Sequence, residues 1–177
     1  MPAPIRSAKS AKGEETYGQI VPLDGDALLL PNTAVIEVRG IEGVRMRTEP
    51  PGWLLGFVNW RGQELPVVSL EGLLGRSLPL RSRRTRLLII NSVGTGLNAG
   101  LLALVCQGYP HLTGLNRSAL QPVALESRDP DELVLSRVRV ANAQAFIPDL
   151  DAIEARIAEA LRVAESPAGN WQPAELQ

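Results

Sequence analysis

The chain has 177 residues, enough for one domain or two small intertwined lobes with a sizeable core. Its formal net charge of −1 argues for neither nucleic acid nor a membrane surface as a bulk partner. Aromatic residues make up only 4% of the chain, which leaves the core to Leu, Val, Ile and Ala.

A single cysteine, Cys106, excludes an intrachain disulfide; within the apolar run Leu101–Cys106 it reads as a buried thiol. No run approaches the ~18 apolar residues of a membrane span, and Met1–Gly13 lacks the apolar stretch of a signal peptide. The expectation is a soluble, cytoplasmic protein with no direct membrane insertion.

Residues 1–14 are polar and small and read as a disordered N-terminal arm, ahead of a folded unit over residues 15–164. Tyr17–Val21 and Ala27–Leu30 read as strands about an Asp24-Gly25 turn. Pro31-Asn32 breaks the second strand. Thr33–Val38 then reads as one or two helical turns, capped by Thr33 and stopped at Gly40. Val44–Thr48 alternates apolar residues with Arg45 and Arg47, the pattern of a half-buried strand. Pro50-Pro51-Gly52 forces a loop, and Trp53–Phe57 has room for a helical turn.

Gly56–Gly75 gives strand, tight turn, strand and short helix. A type I turn with Asn59 first and Gly62 fourth puts Trp60 and Arg61 at the corner. A large aromatic and a rigid cation on a hairpin tip suit partner binding, whereas Asn59 and Gly62 read as turn chemistry. Gly75–Arg84 is a polar connection. Thr85–Asn91 and Gly100–Gln107 read as strands, followed by a loop that holds His111. Arg117–Pro130 reads as irregular, Leu133–Val140 as one or two strands around Ser136, and Ala143–Ile147 as the last strand. Asp149–Ala164 is a helix capped by Asp149 or Asp151, with Ile153, Ile157 and Leu161 on one face. Residues 165–177 read as a flexible tail carrying Trp171.

Tyr17–Val38 and Thr85–Leu115 repeat one order of elements, and Ser69 and Asp149 each cap a helix directly after a strand. This echo, with short strands punctuated by Gly and Pro, points to a mainly β chain of two small barrels with short helices and a C-terminal helix.

Three segments, in this order and spacing, resemble the CheW-like family of chemotaxis coupling proteins. Val35-Ile-Glu-Val-Arg-Gly40 is similar to the family's "V-x-E-I/V-x-x", Gly56-Phe-Val-Asn-Trp-Arg-Gly62 to its "G-V-x-N-L-R-G", and Leu65-Pro-Val-Val-Ser-Leu70 to its "I-P-V-V-D-L". Trp60 replaces the usual Leu, and Ser69 the usual Asp. Leu30-Pro31-Asn32 resembles the ChpC- or PilI-like members associated with type IV pilus motility. The resemblance implies two intertwined, five-stranded, SH3-like barrels. It implies a non-catalytic adaptor between the helical hairpin at a chemoreceptor's cytoplasmic tip and the regulatory domain of a CheA-type histidine kinase, recruited to membrane receptor arrays without a cofactor. By that resemblance Val35, Ile36, Glu37, Val38, Trp60 and Arg61 are the partner-binding residues, with Glu37 and Arg61 as an ion pair beside the groove.

Enzyme chemistry finds little in the residues. There is one His, no Gly-x-Ser-x-Gly elbow and no Walker-type loop, and one His with one Cys cannot build a zinc site unaided. The alternative is a small barrel that binds single-stranded nucleic acid through Arg81, Arg83, Arg84 and Arg86, with Arg76 nearby. No aromatic is interleaved with those arginines to stack bases, so the cluster reads as a solvated connector.

Overall fold

The computed structural model describes residues 16–165. The expected N-terminal arm, Trp171 and the rest of the tail lie outside these residues.

Apolar residues alternating between turn-forming pairs give short strands. In chain order they are β1 (Thr16–Leu23), β2 (Asp26–Pro31), β3 (Val35–Arg39), β4 (Arg45–Met46), β5 (Leu54–Trp60), β6 (Gln63–Val68), β7 (Arg86–Asn91), β8 (Leu101–Cys106), β9 (His111–Leu115), β10 (Leu120–Val123), β11 (Val134–Val140) and β12 (Ala143–Pro148). Helix α1 (Leu70–Leu73) follows β6, and α2 (Leu150–Glu165) follows β12. Both helices begin at the expected caps: the Gly72 amide donates to Ser69 Oγ at 3.3 Å, and the Ala152 amide to Asp149 Oδ1 at 3.0 Å.

Several expectations are corrected. Thr33–Val38 is not helical: a single 3-10 turn over Asn32–Ala34 leads into β3. A register shift between Val35 and Glu37 explains the misleading pattern. The extra residue, Ile36, puts Val35 and Val38 on one face, the spacing that also suits a helix. Trp53–Phe57 runs into β5 instead of making a helical turn. Val44–Thr48 contributes only the exposed two-residue β4. β4 approaches β5 closely because of Gly56, where an added Cβ would sit 2.0 Å from the Arg45 carbonyl oxygen. His111 opens β9, and β10 lies within the segment read as irregular.

The strands form two six-stranded sheets, in orders β10-β11-β12-β2-β1-β9 and β4-β5-β6-β8-β7-β3. The resemblance implied five strands in each. Read position by position, the two orders are the same plan with the hairpins exchanged. Hairpin β1–β2 is followed by β3–β6 but pairs with β9–β12, whereas β7–β8 is followed by β9–β12 but completes the sheet of β3–β6. Each exchange is sealed by a parallel contact, Phe146 with Leu28 in one sheet and Val67 and Val68 with Ala103 and Leu104 in the other. This exchange is the physical content of the echo read from the sequence.

Each sheet has two buried faces. One small core, with Leu29, Val138, Val140 and Ala145, fills the first curled sheet, and another, with Val58, Leu65, Val67, Leu87, Ile89 and Ala103, fills the second. The largest cluster lies between them, where Val21, Leu28, Leu30 and Phe146 of one sheet meet Leu54, Leu88, Ile90, Leu102 and Leu104 of the other. Leu70 and Leu73 of α1, with Ile153 and Ile157 of α2, close this shared core. Cys106 is buried here as expected, and burial pushes its thiol up to about 11. Helix α2 reaches back onto the second sheet through buried Glu154, which accepts from Ser92 Oγ at 2.5 Å and from the amides of Val93 and Gly94 at 2.7 and 2.8 Å.

At the junction the side chain of Arg137 is 1% exposed and lies between two carboxylates. It donates twice to Asp129, at 2.5 and 2.8 Å, and twice to Asp26, at 3.0 and 2.7 Å. Arg76, just after α1, reaches the same two carboxylates at 2.8 and 3.1 Å. Both guanidinium groups approach the ring of Phe146, at 5.8 and 5.7 Å from its centroid. Burial alone would push the Asp26 carboxyl up, but hydrogen bonds from Arg137, the Ala27 amide and Arg76 hold it below its ordinary value. The bonds from Arg137 likewise hold Asp129 low against burial, and the two carboxylates keep Arg137 firmly protonated.

Two outcomes follow. Arg137→Ala leaves two buried carboxylates short of a partner, which should cost about 3–5 kcal/mol and lower Tm by about 10 °C or more in a melt followed by circular dichroism. The same melts should respond to acid. With folded pKa values below the unfolded value of ~3.9, the carboxylates' contribution is complete above that pH and is lost as pH falls through the lowered folded values. Tm should therefore hold down to about pH 5 and then fall, and Asp129→Asn should flatten that fall.

Candidate functional site

The β5–β6 hairpin places the expected site residues. Trp60 pairs with Gln63, so the loop is the two residues Arg61 and Gly62, at φ +50° and +82°. This is a primed two-residue turn, whose twist matches the flanking strands. It is not the expected type I turn, and Trp60 belongs to the strand instead of the corner. Asn59 still serves the turn, its Oδ1 accepting from the Gly62 amide at 3.2 Å.

Left-handed backbone costs a non-glycine residue about 1–2 kcal/mol. Arg61 adopts it with three groups converging around its side chain. Its guanidinium lies 4.5 Å from the centroid of the Trp60 ring, and its Nη2 lies 3.6 Å from Glu37 Oε2. That same oxygen accepts from Trp60 Nε1 at 3.0 Å. The expected meeting of Glu37 and Arg61 is therefore present, and Trp60 joins it.

Glu37 is on β3 and Trp60 on β5, strands well separated in the order of their sheet. The contact spans the seam where the curled sheet meets itself, and Arg39 Nη1 approaches the Asn59 carbonyl at 3.5 Å across the same seam. Trp60 is half-buried against the core of this barrel. Arg61 is 72% exposed and Glu37 37%, so the cluster is anchored at the ring and open at the cation.

The three apolar residues of β3 divide. Val35 and Val38 pack on the shared core, while the bulge turns Ile36 outward at 38% exposure. Ile36 is the one of the three that a partner can reach readily. The sister hairpin β11–β12 provides an internal comparison. Its two-residue turn also begins with a left-handed residue, Ala141 at φ +51°, following Val140. Asn142 is not left-handed, so the matching corner of the other barrel is a different two-residue turn, built with neither arginine nor tryptophan.

Sequence reasoning missed two features. The connection read as polar carries Leu78, which with Ile41, Met46, Leu55, Pro79 and Val105 lines an apolar cleft of about 240 Å³. The run Leu78-Pro79-Leu80 was the available signal. It also missed Tyr109, whose ring lies 5.0 Å from the Arg86 guanidinium although the two are far apart in the chain.

Among the described residues no helix is long and apolar enough to cross a membrane. The structure is similar to that of the scaffolding protein TtCheW from Thermoanaerobacter tengcongensis, with a TM-score of 0.65 and 16% identity over 82% of this chain and 91% of that one. The fold is accordingly that of paired SH3-like barrels. A comparison with curated proteins gives no significant match. The CheW-like domain family matches residues 18–157, a span that takes in both barrels, the β3 motif and the hairpin corner, and the chain belongs to that family.

Proposed function

We propose that the chain is a non-catalytic adaptor in a chemotaxis or type IV pilus motility pathway. The corner formed by Ile36, Glu37, Trp60 and Arg61 grips the helical hairpin of a chemoreceptor's cytoplasmic tip, in the helix-in-groove manner. Val35 and Val38 support β3 from beneath. A separate surface meets the regulatory domain of a CheA-type histidine kinase. The protein acts in the cytoplasm and joins receptor arrays at the membrane without entering it.

Family membership supports a scaffold role. The observation that carries the choice of surface is the unequal chemistry of two corners at matching places in the two sheets. Ala141 shows that the fold does not require a long cation at this turn, yet its counterpart is an arginine stacked on tryptophan and aimed by a carboxylate. An exposed ion pair adds only ~0–1 kcal/mol to stability, so stability is a weak reason for the cluster. Aromatic and arginine side chains supply most of the energetically dominant contacts in interfaces.

A pull-down with a receptor-tip hairpin, and separately with the kinase regulatory domain, tests the reading. Arg61→Ala should weaken receptor capture by about tenfold or more and leave kinase capture and Tm nearly unchanged. Trp60→Leu, the family's usual residue, should retain kinase capture and shift receptor affinity. Equal retention of the receptor by wild type and Arg61→Ala would remove the corner from the interface. In a double-mutant cycle, Glu37→Gln and Arg61→Ala should couple in receptor binding; strict additivity would show that Glu37 does not aim the arginine.

A further inference from the structure

Four of the six residues from 81 to 86 are arginine in a chain of net charge −1. The fold brings Arg83, Arg84 and Arg86 into one cleft of about 530 Å³ with Pro22, Gln107, Tyr109 and His111. Among the described residues no carboxylate lines it. Among the described residues Arg83, Arg84 and Arg86 form no ion pair, in contrast to the paired arginines at the junction. Arg86 is held in place: its Nη1 donates to the carbonyls of Arg83 and Thr85, both at 2.8 Å, and its guanidinium stacks on Tyr109. Gln107 adds a buried Nε2 without an acceptor. The cleft thus gathers three guanidinium groups, one of them held in place, with no carboxylate among its described lining residues.

We infer that this cleft is a docking site for an extended acidic segment of a partner protein. Guanidinium forks match carboxylates two bonds at a time, and a concentrated positive field on a slightly acidic molecule orients an anionic partner. The strand beside the cleft favours polypeptide over nucleic acid. Among the described residues β9, which begins at His111, is the terminal strand of its sheet and pairs with β1 alone. Such an edge offers backbone groups to an added strand, and Leu112 on it is 59% exposed. A single-stranded nucleic acid needs successive aromatic platforms. Among the described residues only Tyr109 and the small His111 imidazole offer aromatic rings to the cleft, and Arg86 already lies over Tyr109. This inference stands apart from the receptor-binding corner, which uses other residues.

Fluorescence anisotropy of the full chain with a labelled octaglutamate peptide tests it, beside a labelled oligothymidylate of the same length. The peptide should bind at about 50 mM salt and weaken at about 200 mM. The double variant Arg83→Ala/Arg84→Ala should lose about tenfold or more in peptide affinity, and Tyr109→Ala a smaller factor of about three, through the released Arg86. Arg139→Ala, an exposed arginine on β11, should leave affinity unchanged. Absence of peptide binding at the lower salt, equal affinity in the double variant, an equal loss in Arg139→Ala, or tighter binding of the oligothymidylate would each overturn the proposal.

Discussion

The two barrels are tied together by Arg76, which reaches across their junction into a cluster of buried charges otherwise paired within the first sheet. Asp26 lies on the exchanged hairpin, Asp129 and Arg137 come from the C-terminal part of the same sheet, and Arg76 arrives from the segment that leaves the other sheet through α1. Separating the halves would strip Arg76 from two carboxylates already removed from water. Such a network contributes little net stability over a well-packed apolar alternative, but breaking it is costly. Its effect is to fix geometry. Glu154 does the same at the opposite end of the chain, tying α2 to the β7–β8 loop with three hydrogen bonds.

That fixed geometry matters for the corner. β3 follows directly from the exchanged hairpin, so the position of Glu37 depends on how the two sheets are seated. The β5–β6 turn belongs wholly to the second sheet. A carboxylate carried on β3 can accept from Trp60 at 3.0 Å only while the seam stays closed. The corner thus depends on closure of the barrel, and it leaves Arg61 exposed. Its sister turn at Ala141 also begins left-handed but, unlike Arg61-Gly62, does not continue so at Asn142, and it carries none of this chemistry.

Much of this fold was legible. Alternation located the strands, Ser69 and Asp149 announced both helices, and the repeated order of elements anticipated two barrels. The failures have physical causes. Val35 and Val38 share a face because of a bulge, and an i, i+3 apolar pair looks the same in a helix. Asn59 and Gly62 fit a type I turn as well as the primed one, and only pairing of Trp60 with Gln63 separates them. The candidate site was readable in part: Glu37 and Arg61 came from motif resemblance, but the role of Trp60 as a shared donor to Glu37 needed the closed seam. Long-range polar contacts were invisible. Nothing local in the sequence links Asp26 to Arg137, 111 positions away, or Tyr109 to Arg86.

The proposed role makes the Trp60–Arg61 corner the receptor-facing surface. Nuclear magnetic resonance of the ¹⁵N-labelled chain, titrated with a receptor-tip hairpin, addresses it most directly. The indole Nε1–H of Trp60 and the amides of Ile36, Glu37, Arg61 and Gly62 should shift or broaden first, while Ala141 and Asn142 at the sister corner stay still. Shifts centred on the sister corner or elsewhere, with the Trp60 indole signal unmoved at saturation, would contradict it.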